Sequence, residues 1–308
     1  MRRSRVGVAS WRGRTLPIPT RTAGTGNIGR RARGRTALRA AALTLVAAAL
    51  TAACQTAAPG GPRTSEASFT VHYERPSARD KDDAAFVRAH KLPEEAVRSV
   101  TALVKLDPPA VMSVRSCAGE GSAYDPDTRR VEICYDEITE TRELYRDSGE
   151  RLLDDTLSAV MLETLFHESA HAVIDALDLR VGGREEDFAD QFAALMLLRQ
   201  GAQGERRLLA AARTWRLASI MYDPVDDGRE DEHSTDRRRA VNHYCYVYGS
   251  APATHEHLVH PQTLTARRAR GCAREWKRVR AAWMNALGRT AVEGDGGGSA
   301  RDRAPFTR

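Results

Sequence analysis

The sequence predicts a mostly helical α+β fold with a small sheet on the N-terminal side of its folded domain. Strand-like segments are few, and all of them lie between residues 67 and 137. Beyond Tyr135 the apolar residues recur at the three- and four-residue spacings of helices almost to the C-terminus. About 220 residues lie between the polar ends of the chain, which is enough for one domain with a sizeable core.

The predicted elements follow one another in a simple order. Residues 67–74 predict a strand, and the segments DKDDAAFVRAH and PEEAVRSVTALVKL predict two helices, the second with Pro93 near its first turn. Segments 110–117 and 129–137 predict two further strands, and the sequence AYDPDT between them is typical of a turn. The helices predicted after these strands are 151–178, 185–200, 203–219, 234–248 and 264–288.

The composition divides the chain into four segments. Residues 1–54 predict a signal peptide, with a basic region up to Arg39 and an apolar run, AAALTLVAAALTAAC, that is too short to span a bilayer comfortably. Residues 55–67 are rich in proline, glycine and small polar residues, which predicts a flexible linker. Residues 68–289 are predicted to form the folded domain, and 290–308 a disordered tail.

The end of the apolar run, LTAAC, resembles a bacterial lipobox, in which the cysteine is lipidated and becomes the mature N-terminus. We therefore expect export and a lipid anchor at Cys54, on the outer face of the cell membrane. Secretion after cleavage near Ala53 is the alternative. The eleven arginines before Cys54 account for the net charge of +6, since residues 55–308 carry 36 Lys and Arg against 41 Asp and Glu. A nucleic-acid partner is therefore not expected.

Four further cysteines predict two disulfides, because exported chains fold in an oxidising environment. Three connectivities are possible for four cysteines. The pairs Cys117–Cys134 and Cys245–Cys272 are favoured, because each of them closes a short local loop. The first pair would join two of the predicted strands.

The helix predicted around residue 167 carries the sequence HESAH. His167 and His171 lie one turn apart on the same face, so both imidazoles can bind one ion, and zinc favours such nitrogen ligands. Glu168 lies about 100° around the helix from His167. There it can reach a water molecule beside the metal without joining the histidines as a ligand. The spacing predicts a zinc site with Glu168 as general base, and a chance match is the alternative.

A third ligand is expected from the next helix, which begins with REEDFAD after the turn sequence RVGG. Glu186 and Asp190 lie four residues apart on one face of that helix. Glu186 can complete the His₂Glu set of a catalytic zinc site, and Asp190 can accept a hydrogen bond from a ligand histidine. Glu185 and Asp187 point about 100° to either side of Glu186. They are interpreted as favourable charges at a helix N-terminus.

The pattern HExxH followed by ExxAD resembles the gluzincin metallopeptidases, and EDFAD matches it at Glu186, Ala189 and Asp190. CYDE, FHESAHAVIDALDL, VGGREEDFADQFA, DEHS and YGS are also similar to a family of exported bacterial metallopeptidases catalogued as a domain of unknown function. This resemblance covers most of residues 110–275. It implies a zincin-like domain, with the HExxH helix packed on a second ligand-bearing helix, that binds zinc and cleaves a protein or peptide substrate.

Some gluzincins use a downstream histidine to hydrogen-bond the oxyanion that forms from the peptide carbonyl, and the resemblance gives this role to His233. The alternative is a solvated loop histidine. Ser234 is predicted to cap the helix that follows. Two other functions remain open: a non-catalytic surface lipoprotein with a structural zinc or a partner-binding role, and a protease kept latent by its own N-terminal region.

Overall fold

The computed structural model describes residues 6–7, 68–222 and 233–293, all of which belong to one unit of the chain. Cys54, where a lipid anchor was predicted, the predicted linker and almost all of the predicted signal peptide lie outside the described residues. So does the end of the predicted tail, from residue 294 onwards. As the sequence predicts, the fold is mostly helical around one small sheet.

The sheet is mixed and has the strand order β1-β4-β5-β3-β2. Strand β3 pairs in parallel with β2 and with β5, whereas β4 is antiparallel to both β5 and β1. Most of β3 and β5 is buried, as expected of parallel strands in the middle of a sheet. The strands are β1 (Val6–Gly7), β2 (Phe69–Tyr73), β3 (Ala110–Arg115), β4 (Ala123–Asp125) and β5 (Arg130–Cys134).

Strand β4 corrects the interpretation of AYDPDT as a turn alone. Its three residues pair with Arg130, Val131 and Glu132 of β5, and only the residues after Asp125 form the turn. The segment is too short to show an alternating pattern. It is a strand because it pairs with β5, and its own sequence does not predict one.

Eight α-helices make up most of the described chain. They are α1 (Lys81–His90), α2 (Leu92–Thr101), α3 (Asp136–Ser148), α4 (Asp154–Ala176), α5 (Glu185–Leu198), α6 (Ala202–Met221), α7 (Asp236–Ser250) and α8 (Ala266–Glu293). The last turn of α8 extends past residue 289, where the folded domain was predicted to end. Within the described ranges, no helix combines the length and apolar character needed to cross a membrane.

Helix α4 lies at the centre of the domain. All of its residues from Leu157 to Ile174 are buried, because it packs against the sheet and against α2, α3, α5 and α6. A helix that is apolar around its whole circumference is expected in such a position. His167 and His171 therefore lie in the core and not on a solvated face.

Both favoured disulfides are present. Cys117–Cys134 joins the segment after β3 to the end of β5, and Cys245–Cys272 joins α7 to α8. The sequence separations are 17 and 27 residues. The prediction from cysteine number and loop length is therefore confirmed.

The start of α7 corrects the predicted cap. Thr235, and not Ser234, is the N-cap residue, and its side chain accepts a hydrogen bond from the backbone N–H of Arg238. Ser234 instead donates a hydrogen bond of 2.6 Å to Asp187 of α5. This contact ties the segment that carries His233 to the start of α5.

Candidate metal centre

The connection between α4 and α5 brings the two halves of the predicted site together. Residues 177–184 reverse the chain, and α5 then packs against α4. Asp178 has a φ of 47° and Gly183 a φ of 154°, and at the latter position glycine is the residue that adopts the conformation without strain. The chain therefore reverses at RVGG, as predicted, with bends at Gly182 and Gly183, although the connection begins earlier, with a turn at Leu177 and Asp178.

Three predicted ligands converge in the core. Glu186 Oε2 lies 2.9 Å from His167 Nε2, and Glu186 Oε1 lies 3.5 Å from His171 Nε2. The two Nε2 atoms are 3.3 Å apart. Ligand atoms from these three buried residues all lie within 4.8 Å of one another, so they form a group that could hold a metal ion. Their chemistry is the His₂Glu set that suits zinc.

The other nitrogen of each histidine contacts an acidic residue of α5. Asp190 Oδ1 lies 2.9 Å from His167 Nδ1, as the four-residue spacing from Glu186 predicts. Glu185 Oε1 lies 2.9 Å from His171 Nδ1. The interpretation of Glu185 as only a helix-end charge is therefore wrong. Acceptors at both Nδ1 atoms leave both Nε2 atoms available to a metal.

Glu168 is buried beside these ligands and takes no part in the group itself. Among the described residues, neither of its carboxylate oxygens finds a hydrogen-bond partner, although the side chain is fully buried. Burial raises its pKa, and the nearby imidazoles of His167 and His171 lower it only in part. A buried carboxylate without a partner is costly and is characteristic of a functional site.

His233 also lies at this site. It is buried, and its Nε2 is 3.0 Å from Glu186 Oε2. Arg184 donates a hydrogen bond of 2.8 Å to the backbone carbonyl of His233, which holds the segment close to the start of α5. The alternative of a solvated loop histidine is therefore wrong, because the ring is buried against the carboxylate of Glu186.

The acidic groups around the histidines change the pKa of both imidazoles. Burial alone lowers the pKa of His167, but hydrogen bonds to Asp190 and Glu186 raise it well above its ordinary value. Burial likewise lowers the pKa of His171, whereas Glu185 and Glu186 raise it, to about 9 overall. The negative potential that produces these shifts also favours a cation between the rings.

Three buried residues around the centre were not predicted to belong to it. Arg239 binds both oxygens of Asp190, and Glu163 lies 3.1 Å from Nε2 of His243. The sequence carries a weak signal for them. Glu163 precedes His167 by one turn on an otherwise apolar stretch of α4, and Arg239 and His243 are likewise one turn apart on α7.

The family of the chain follows from comparison with known families. The model of a family described as "Putative metallopeptidase" matches residues 73–287. The chain belongs to this metallopeptidase family. No curated protein and no solved structure is significantly similar to it.

Membership of this family confirms the resemblance to a metallopeptidase family that was drawn from the sequence, and it implies a metal. The matched residues include α4, α5 and His233, so the family region contains the whole candidate centre. Two other groups of potential ligands occur among the described residues. One contains Cys117 and Cys134, whose sulfurs are joined in a disulfide, and the other surrounds Arg239.

Proposed function

We propose that this chain is a zinc-dependent peptidase that hydrolyses peptide bonds with Glu168 as general base. The observation that carries the proposal is the position of Glu168, an unpartnered carboxylate buried beside a His₂Glu group. A structural zinc site would have four protein ligands, whereas a catalytic site keeps one position open. Among the described residues, the group contains three.

His167, His171 and Glu186 are the residues that would hold the metal. They fit zinc because the donor set is His₂Glu and because an acidic side chain contacts the second nitrogen of each histidine. When bound, zinc supplies a Lewis acid that polarises the scissile carbonyl and lowers the pKa of the attacking water.

Glu168 is the residue that transfers the proton during the reaction. Its carboxylate accepts a proton from the attacking water and then donates this proton to the leaving amine. In the part of the chain that the structure describes, no hydrogen bond competes for either oxygen, which supports this role. His233 stabilises the negative charge that develops on the carbonyl oxygen, and the position of its Nε2, 3.0 Å from Glu186 Oε2, supports this role.

The full-length protein provides a test with a matched pair of variants. We compare Glu168→Gln with Glu256→Gln, which alters an exposed glutamate of the surface. Zinc content is measured by mass spectrometry, and hydrolysis with a mixture of unstructured fluorogenic peptides. We expect about one zinc per chain in all three proteins, and a loss of about 100-fold or more in hydrolysis only for Glu168→Gln.

Three results would contradict the proposal in different ways. If the wild type binds zinc and cleaves no peptide, the non-catalytic lipoprotein becomes the better explanation. If Glu168→Gln retains the wild-type rate, Glu168 is not the general base. A wild type that binds no zinc would show that the metal assignment itself is wrong.

We further propose that the protein is exported and anchored by lipid at Cys54, which rests on the lipobox-like sequence LTAAC. Cys54→Ser should then move the protein from the membrane fraction to the soluble or secreted fraction of a bacterial host. Recovery of the wild type in the medium would support secretion instead.

A further inference from the structure

On the far side of His167 from Glu186, a buried arginine contacts the acidic residue that holds the ring. Arg239 of α7 is 2 % exposed. Its Nε donates to Asp190 Oδ2 at 3.0 Å, and its Nη2 donates to Asp190 Oδ1 at 2.6 Å. The same Oδ1 lies 2.9 Å from His167 Nδ1. His167 of α4 and Arg239 of α7 thus both contact the carboxylate of Asp190, which belongs to α5.

We propose that Arg239 is a positioning residue of the metal centre, which fixes Asp190 in the orientation that aims His167 Nε2 at the metal. This inference rests on the proposed metal centre and extends it to α7. Arg239 does not touch the metal or the substrate in this proposal; it acts through Asp190.

The geometry explains why an arginine is needed. A guanidinium binds both oxygens of a carboxylate in one plane, which a lysine ammonium does not do. With both oxygens of Asp190 held, the carboxylate cannot rotate about its last bond. Its Oδ1 therefore stays in place as the acceptor for His167 Nδ1–H. A hydrogen on Nδ1 leaves the lone pair on Nε2, which is the atom that faces Glu186.

Other buried residues hold Arg239 itself. Its guanidinium carbon lies 3.6 Å from the centre of the Trp215 ring, and its Nη2 lies 3.7 Å from Glu163 Oε1. Glu163 in turn contacts His243. Stacking on an indole restricts the plane of the guanidinium, and the two carboxylates balance its buried charge. Trp215 and Glu163 therefore hold the arginine on two sides besides its contact with Asp190.

A second metal site is the competing explanation of this cluster, because ligand atoms of Glu163, Asp190 and His243 lie within 4.8 Å of one another. The guanidinium of Arg239 contacts both carboxylates of the cluster. A permanent cation at this place repels a metal ion, and it already binds both oxygens of Asp190. The cluster is thus better explained as support for His167.

The test measures zinc affinity by competition with a chromophoric chelator, in the full chain, for the wild type and three variants. Arg239→Gln removes the positive charge and the pair of N–H donors that binds both oxygens of Asp190. Arg239→Lys keeps only the charge. Arg207→Gln is the control, because Arg207 forms a similar pair with Glu95 on a different part of the domain. We expect zinc affinity to fall about 10- to 100-fold for Arg239→Gln, less for Arg239→Lys, and not at all for Arg207→Gln.

A double-mutant cycle with Asp190→Asn separates this role from a purely structural one. If Arg239 acts through Asp190, the double variant should lose little more affinity than Asp190→Asn alone. Wild-type affinity in a folded Arg239→Gln protein, or additive losses in the cycle, would overturn the inference. If Arg239→Gln does not fold, the affinity and cycle of Arg239→Lys decide between the same outcomes. A wild type without zinc affinity would instead contradict the proposed metal centre.

Discussion

Glu185 Oε1 lies 2.9 Å from His171 Nδ1, while its neighbour Glu186 lies 3.5 Å from Nε2 of the same ring. Two consecutive residues at the start of α5 therefore contact opposite edges of one imidazole. Glu186 lies at Nε2, the nitrogen that is available to a metal, and Glu185 contacts Nδ1 on the other edge of the ring. This division gives the two glutamates different expected effects on metal binding.

Glu186→Ala is expected to abolish most of the metal binding, because it removes one of three ligands. Glu185→Ala is expected to leave a site that binds zinc about 10-fold more weakly, since only the orientation of His171 is affected. Zinc titration against a chelator measures both. A larger loss of zinc affinity in Glu185→Ala than in Glu186→Ala would reverse the ligand assignment.

Close packing of α7 on α8 predicts a stability effect at Gly249. A Cβ at this position would lie 2.4 Å from the carbonyl oxygen of Cys272, which is backbone and cannot move aside easily. We expect Gly249→Ala to lower the free energy of unfolding by about 1–3 kcal/mol, as overpacking does. Urea denaturation followed by circular dichroism provides the measurement.

Gly271 of α8 is a matched control for this substitution. A Cβ there would have no atom of the described residues within 4 Å, so Gly271→Ala should be neutral or should stabilise the helix by up to about 1 kcal/mol. Equal destabilisation by both substitutions would show that the contact with Cys272 is not the cause.

The disulfide between α7 and α8 should contribute measurably to stability. It closes a loop with a sequence separation of 27 residues, for which the loop-entropy relation gives about 3.5 kcal/mol. The double variant Cys245→Ala/Cys272→Ala is expected to lose about this much free energy of unfolding in urea. Removal of Cys117 and Cys134 should cost slightly less, about 3 kcal/mol, because that separation is 17 residues. The reverse order would contradict an entropic origin.

Glu137 predicts a pH dependence of stability. Burial raises its pKa from 4.5 to about 8, and a hydrogen bond from the backbone N–H of Ser122 opposes the shift only in part. The folded state therefore binds a proton that the unfolded state has released between these two values. In that window the wild type should lose up to about 1.4 kcal/mol of stability per pH unit relative to Glu137→Gln.

This prediction is checked by urea denaturation of both proteins at several pH values from 4.5 to 8.5. The glutamine keeps an oxygen that can accept the bond from Ser122, so packing changes little. A constant difference between the two proteins across this range would show that Glu137 is not protonated in the folded state. A difference that grows in the opposite direction would mean that its pKa is lowered.

Much of the local structure follows from the sequence, because it depends on residues close together in the chain. The four-residue spacing of His167 and His171 places them on one helix face, and the same spacing relates Glu186 to Asp190. The apolar residues around HESAH indicate a buried helix, and α4 is buried. The two disulfides close short loops, and the family shown for residues 73–287 is the one that the motifs indicate.

The contact of Glu185 with His171 was not predicted, because an angle around one helix does not determine contacts with another. Glu185 and Glu186 diverge by about 100° on α5. An imidazole has nitrogens on opposite edges, so two divergent side chains can still contact the same ring. Only the distance and tilt between α4 and α5 determine whether they do.

By itself, the sequence determined the mostly helical class, the two helices that carry His167, His171 and Glu186, and the cysteine pairs. The tertiary structure decided that Arg239 meets Asp190 across 49 residues and that His243 meets Glu163 across 80. It also placed His233 beside Glu186. Spacing along one helix fixes which side chains share a face, but the packing of α7 against α5 depends on the whole core. The candidate ligands can therefore be predicted from local periodicity. The residues that contact and orient them are brought together only by the fold.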